Sequence, residues 1–208
     1  MIIMIDAGHG IETAGKRAPD GSYLEYEFNR DVAGRIQRHL ARCGIDARLT
    51  CPDEHDLSLS ERCRISNAAG ADYFVSIHTD AYGDGKSWTE PSGWSAHVIA
   101  KGGNAQRLAE AIRAEAIPML GCRDRGVQVS NYQVLRDTKA PAVLIEHGFH
   151  TNREEVELLK SDAYRGKCAL SDAKGICAQA GIEWAEQAQG RAVTIDALRR
   201  MGYDRIVF

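Results

Sequence analysis

The run Ile2-Ile3-Met4-Ile5-Asp6-Ala7-Gly8-His9-Gly10 decides the class of fold. Its apolar start has no basic residue ahead of it, and Asp6 and His9 follow at once, so it does not read as a signal peptide. It reads as a first strand, residues 2–6, feeding a long glycine-rich loop from Asp6 to Gly21. Two further runs have the same form. Tyr73-Phe74-Val75-Ser76-Ile77 leads into His78, and Ala142-Val143-Leu144-Ile145 leads into Glu146, just before His147-Gly148-Phe149. Nearly continuous apolar runs of this length mark strands buried on both faces. Each of the three delivers a residue able to bind a metal or carry a proton.

Helices fill the gaps between these strands. Phe28, Val32, Ile36 and Leu40 form a stripe of helical period over 26–43, and Gly44 is placed to cap it. A short strand follows at 45–50. Ser58 and Glu61 have capping-box spacing at the start of a helix that runs to Gly70. Beyond the strand at 73–78, the reading predicts a strand at 94–100, a helix at 104–117 ended near Pro118, and a strand at 129–135. Thr151 or Asn152 caps a short helix, and a long helix covers 162–188. The alternation of strand and helix predicts an α/β fold: a mixed, mainly parallel sheet with helices on both faces. Gly190-Arg191 reads as a boundary, giving a catalytic domain over 1–190 and a short tail over 191–208. Within the tail, Tyr203 and Phe208 are expected to pack against a surface.

With 208 residues, 44% hydrophobic and 26% charged, the chain can bury one core without staples. A net charge of -3 without a basic run argues against a nucleic-acid partner. No segment approaches the roughly 20 apolar residues of a membrane span, so no membrane insertion is expected. The six cysteines form no CxxC pair, which disfavours a cysteine-based metal ribbon. Synthesis in a reducing cytoplasm would keep them as thiols. Gly8-His9-Gly10 lacks dinucleotide-binding spacing, no Walker lysine follows it, and no GxSxG elbow occurs.

The chemistry lies at strand ends, where open α/β sheets build their sites. His9, His78 and Glu146 stand there, and Glu25 stands near the start of a predicted helix. Two imidazoles and a carboxylate are a typical ligand set for a catalytic zinc with one position left for water. A second carboxylate beside that water can act as general base. For the carboxylate ligand, residue type leaves Glu12, Glu25 and Glu27 open. Glu25 and Glu27 stand roughly 200° apart around a helix, so both cannot face one ion.

Four motifs in order carry a family resemblance: Asp6-Ala7-Gly8-His9-Gly10, Glu25-Tyr26-Glu27-Phe28-Asn29, Ser76-Ile77-His78-Thr79-Asp80-Ala81, and Pro141 through Asn152. Together they resemble the zinc-dependent N-acetylmuramoyl-L-alanine amidases of the amidase-3 family, over about residues 1–188. The resemblance implies a sandwich with a six-stranded mixed sheet like that of the zinc exopeptidases. It implies His9, Glu25 and His78 as Zn2+ ligands and Glu146 as the catalytic residue. The implied substrate is peptidoglycan, cleaved between the lactyl group of N-acetylmuramic acid and L-alanine. Asp6 and Asn29 become candidates for orienting the ligands, although Asp6 equally suits a turn cap. Arg136 becomes a candidate for a stem-peptide carboxylate, with a surface ion pair as its alternative.

The chain departs from the family pattern at Thr79-Asp80, where many members have Asn-Ala, and at His147 and His150. The loop from Gly15 to Gly21 resembles that of phage lysis enzymes in the family. With no leader visible, the expectation is an endolysin made in the host cytoplasm and released to the cell wall. The competing readings are a bacterial autolysin, another zinc peptidase or deacylase, and an inactive wall-binding module. Oligomeric state stays open.

Overall fold

The computed structural model describes residues 1–186. Its elements are β1 (Ile2–Ala7), α1 (Glu25–Arg42), β2 (Asp46–Leu49), α2 (Leu59–Ala69), β3 (Tyr73–Asp80), β4 (Trp94–Val98), α3 (Gly103–Leu120), β5 (Asp124–Val129), α4 (Gln133–Arg136), β6 (Ala142–Phe149), α5 (Arg153–Lys160) and α6 (Asp162–Ala180). Among the described residues one sheet has the order β2-β1-β3-β6-β4-β5. The β4–β6 pair is antiparallel and every other pair is parallel. The architecture is thus the expected mixed, mainly parallel six-stranded sheet.

Side chains alternate across a strand, and this sorts the core into two layers. Ile3, Ile5 and Ala7 of β1, with Val75 and Ile77 of β3, join one cluster beneath α1, α3 and α6. Met4, Phe74, Ala142 and Leu144 point the other way and pack with Cys63 of α2 and Val134 and Leu135 of α4. Asp6, Ser76, His78 and Glu146 continue this second set toward the carboxyl ends. The same alternation that builds the smaller core therefore delivers four polar side chains to one face of the sheet.

The helix starts follow local chemistry. Ser58 Oγ accepts from the Glu61 backbone N–H, and the Asn152 side chain accepts from the N–H groups of Glu154 and Glu155. Several boundaries differ from expectation. The predicted strand at 129–135 is the end of β5 followed by α4. Val129 is the last residue registered with β4, and Val134-Leu135 fills the smaller core as a helical turn. An apolar pair this short has no period that separates strand from helix.

Pro118 lies inside α3, near its end, where the carbonyl it would block is on an exposed turn. α6 stops at Ala180 because Gly181 adopts φ 66° and caps it, well short of residue 188. β3 and β6 both run past His78 and Glu146, which sit within the strands rather than at their last residue. All six cysteines are free thiols, four of them buried. No helix among the described residues is long and apolar enough to cross a membrane. The expected tail at 191–208, with Tyr203 and Phe208, lies outside the described residues.

Candidate metal and catalytic centre

The site grows from the end of β1. His9 has φ 61°, the only non-glycine residue with positive φ among those described. A side chain in that region is held only when its surroundings over-determine it. Here two arginines hold it. Arg30 of α1 and Arg62 of α2 both donate to the carbonyls of Ala7 and His9. Gly8 supplies space: a Cβ there would lie 2.1 Å from Cε1 of His78, so the His78 ring occupies the volume a side chain would take.

Glu25 begins α1, where the helix dipole favours a carboxylate. It is fully buried, and its backbone N–H donates to the Lys16 carbonyl. Its Oε1 accepts from the Thr79 backbone N–H at 3.1 Å and from Asn29 Nδ2 at 3.4 Å. It lies 3.1 Å from His78 Nδ1 and 3.5 Å from His9 Nε2. One helical turn on, Asn29 also donates to the Gly8 carbonyl at 3.0 Å, tying the helix start to the turn that carries His9. His9, Glu25 and His78 each offer a ligand atom, and these atoms lie within 4.8 Å of one another.

Glu146 is set by register. It is the direct partner of His78 across β3–β6 and of Ser95 across β6–β4. His9, Glu25, His78 and Glu146 share a cavity of about 620 Å³ with Lys16, Asp56, Asp80 and Tyr132.

Electrostatics divide the carboxylates. Burial pushes Glu146 well above the ordinary carboxylate range, and the neighbouring charges of Asp80 and Glu25 push the same way. Burial opposes ionisation of Glu25 too, but its bond with His78 and the surrounding imidazoles outweigh it and hold Glu25 below the usual range. Burial lowers His9 to about 3, so its imidazole is a neutral lone-pair donor at ordinary pH. The second oxygens of Glu25 and Glu146 are buried without a hydrogen-bond partner. Such oxygens are costly to bury unless a cation answers them. A buried carboxylate facing the imidazoles of His9 and His78 suits a divalent metal with nitrogen and oxygen ligands.

The remaining candidates separate clearly. Glu12 is exposed and pairs with His55, and Glu27 is exposed on the far side of α1. Asn29 contacts Glu25 directly. Asp6 touches no imidazole; it is buried among Arg62, Thr50 and Ser76. Arg136 does not line the cavity. Its guanidinium donates to Asp137 and Asn131 on the surface, the arrangement of the ion-pair alternative. Strand alternation turns His147 away from the site, where it lies 3.0 Å from the buried Asp172. His150 lies behind the site, 3.8 Å from Glu25 Oε2.

Sequence reading missed Arg30, Arg62, Lys16 and Arg125. Arg125 pairs with Asp80 at 2.8 Å and stacks over Phe149, so the unusual Asp80 has a cation of its own. One signal was available: a carboxylate at Asp6 inside a buried strand demands a buried cation. Nothing in the pattern said which arginine.

Comparison with known proteins decides the family. A family model described as N-acetylmuramoyl-L-alanine amidase, Amidase_3, matches residues 3–178. The chain belongs to this family. Among relatives, it is 36% identical to N-acetylmuramoyl-L-alanine amidase LytC of Bacillus subtilis, over 80% of this chain and 33% of LytC. It is 31% identical to the endolysin of Bacillus phage SPP1, over 84% of this chain and 64% of the endolysin. The chain thus spans about a third of the first relative's length and just under two thirds of the second's. Among solved amidase structures, the catalytic domain of CwlV from Bacillus (Paenibacillus) polymyxa superposes with a TM-score of 0.81 at 27% identity. That match covers 88% of this chain and 99% of CwlV's domain.

Proposed function

We propose that this amidase-family chain hydrolyses the amide between the lactyl group of N-acetylmuramic acid and L-alanine in peptidoglycan, with zinc held by His9, Glu25 and His78. The observation that carries the reading is the convergence of those three ligand atoms within 4.8 Å, with Glu146 registered directly beside His78. Asn29 would hold Glu25, and Arg30 and Arg62 would hold the turn that presents His9.

When bound, zinc supplies Lewis-acid polarisation of the substrate carbonyl and of a water. Glu146 does the proton work. Its carboxylate takes a proton from the attacking water and hands it to the alanine nitrogen as the C–N bond breaks. Burial and the neighbouring carboxylates Asp80 and Glu25 raise its pKa, which makes its carboxylate a stronger proton acceptor than a solvated one. Lys16 lines the cavity and, among the described residues, has no carboxylate within ion-pair distance, which makes it the group to meet a stem-peptide carboxylate. The similarity to the SPP1 endolysin supports a phage or prophage lysis role, and the similarity to an amidase of Bacillus subtilis keeps a bacterial wall enzyme as the alternative.

The test is digestion of purified walls, reading new N-terminal alanine and new reducing sugar ends separately. The reading expects alanine termini alone, loss of release on chelation, and recovery with zinc. Reducing ends, or release indifferent to chelator, contradict it.

A further inference from the structure

We propose that Ser76 is a positioning residue that fixes the tautomer of His78, relaying the charge of Asp6 to a histidine Asp6 does not touch. This inference rests on the zinc reading above. Ser76 is fully buried, and among the described residues its hydroxyl has two side-chain partners, Asp6 and His78. Ser76 Oγ lies 2.6 Å from Asp6 Oδ2 and 3.1 Å from His78 Nε2. Arg62 donates to the other oxygen of Asp6 at 2.7 Å, and Thr50 donates there as well. Surrounded by donors, Asp6 is an acceptor only.

A hydroxyl has one hydrogen. Since Asp6 can only accept, that hydrogen points to Asp6, and Ser76 Oγ must accept from His78. Nε2 therefore carries a proton, and Nδ1 is the nitrogen whose lone pair is offered to a metal once one replaces the contact with Glu25. Nδ1 is the nitrogen turned into the site, 3.1 Å from Glu25 Oε1. The direction of every bond in the row follows from the guanidinium at its far end. Two features of the sequence build the row. Parallel pairing registers Asp6 against Ser76, and strand alternation puts Ser76 and His78 on one face, two residues apart. A metal-ligating histidine commonly donates its second nitrogen to a carboxylate or carbonyl; here a hydroxyl is interposed.

The polarity can be reversed with nearly the same atoms. In Asp6→Asn the amide N–H donates to Ser76 Oγ, whose hydrogen then turns to Nε2 and drives the imidazole proton to Nδ1. Ser76→Ala removes the link, and Thr50→Val removes a different bond to Asp6 as a control for general loosening. The experiment measures zinc affinity by chelator competition and the His78 tautomer by nitrogen-15 imidazole shifts, in the full chain. Expected are an Nε2–H imidazole in wild type and Thr50→Val, and zinc affinity about 10- to 100-fold weaker in Ser76→Ala. Asp6→Asn is expected to bind zinc more weakly still, with the proton moved to Nδ1. If wild type binds zinc while Ser76→Ala and Asp6→Asn stay within twofold of it with the tautomer unchanged, the relay is overturned and the zinc reading stands. A wild type that binds no zinc overturns both.

Discussion

His9 and its two arginines show how single side chains shape this site. The left-handed backbone at His9 persists because Arg30 and Arg62 hold the carbonyls on either side of Gly8. Arg62 also neutralises Asp6, and both are 1% exposed. Breaking a buried pair strands a charge, so Arg62→Ala should lower unfolding free energy by about 3–5 kcal/mol in urea titration. A change under about 1 kcal/mol would mean that water reaches Asp6. Gly8→Ala tests the other constraint. Its Cβ would displace the His78 ring, and a shift of about 1 Å in a reacting group costs on the order of 100-fold in rate. Wall-hydrolysis assays should show that loss with the circular dichroism spectrum retained. His9, His78 and Glu146 were legible because apolar runs lead straight to them. Arg30, Arg62 and Arg125 were not, because an arginine in an amphipathic helix looks the same whether it faces water or a buried carboxylate.

The secondary-structure elements mostly follow from period and caps. α1 was readable from Phe28, Val32, Ile36 and Leu40, all fully buried. α2 was readable from Ser58, whose cap bond is observed. Ser58→Ala should cost about 1 kcal/mol, measured as a lowered denaturation midpoint with unchanged slope. A neutral outcome would assign the start of α2 to the packing of Cys63 and Arg62 instead. α4 was not readable, since four residues hold too little pattern, and its place is decided by the pocket that Val134 and Leu135 fill beside Phe74. The end of α6 was readable in principle from Gly181, but the polar residues after it continue a helical composition.

The molecule as a whole sets a mainly parallel sheet between two helix layers and concentrates buried charge at its carboxyl edge. That arrangement sacrifices stability for chemistry at Glu146. Because its folded pKa is raised above the ordinary 4.5, the carboxyl favours the fold while protonated and loses that contribution as pH rises through the folded value. Metal-free Glu146→Gln should therefore melt above metal-free wild type, by a margin that widens as pH rises above the ordinary 4.5. A margin independent of pH would mean that Glu146 titrates normally. The central claim is that three residues hold the metal while a fourth moves the proton. It is tested most directly by zinc content and new N-terminal alanine from purified walls, for wild type and Glu146→Gln together. One zinc per chain in both, with alanine released by wild type alone, is the predicted result. Loss of zinc with the substitution, or alanine release by Glu146→Gln at the wild-type rate, would contradict it.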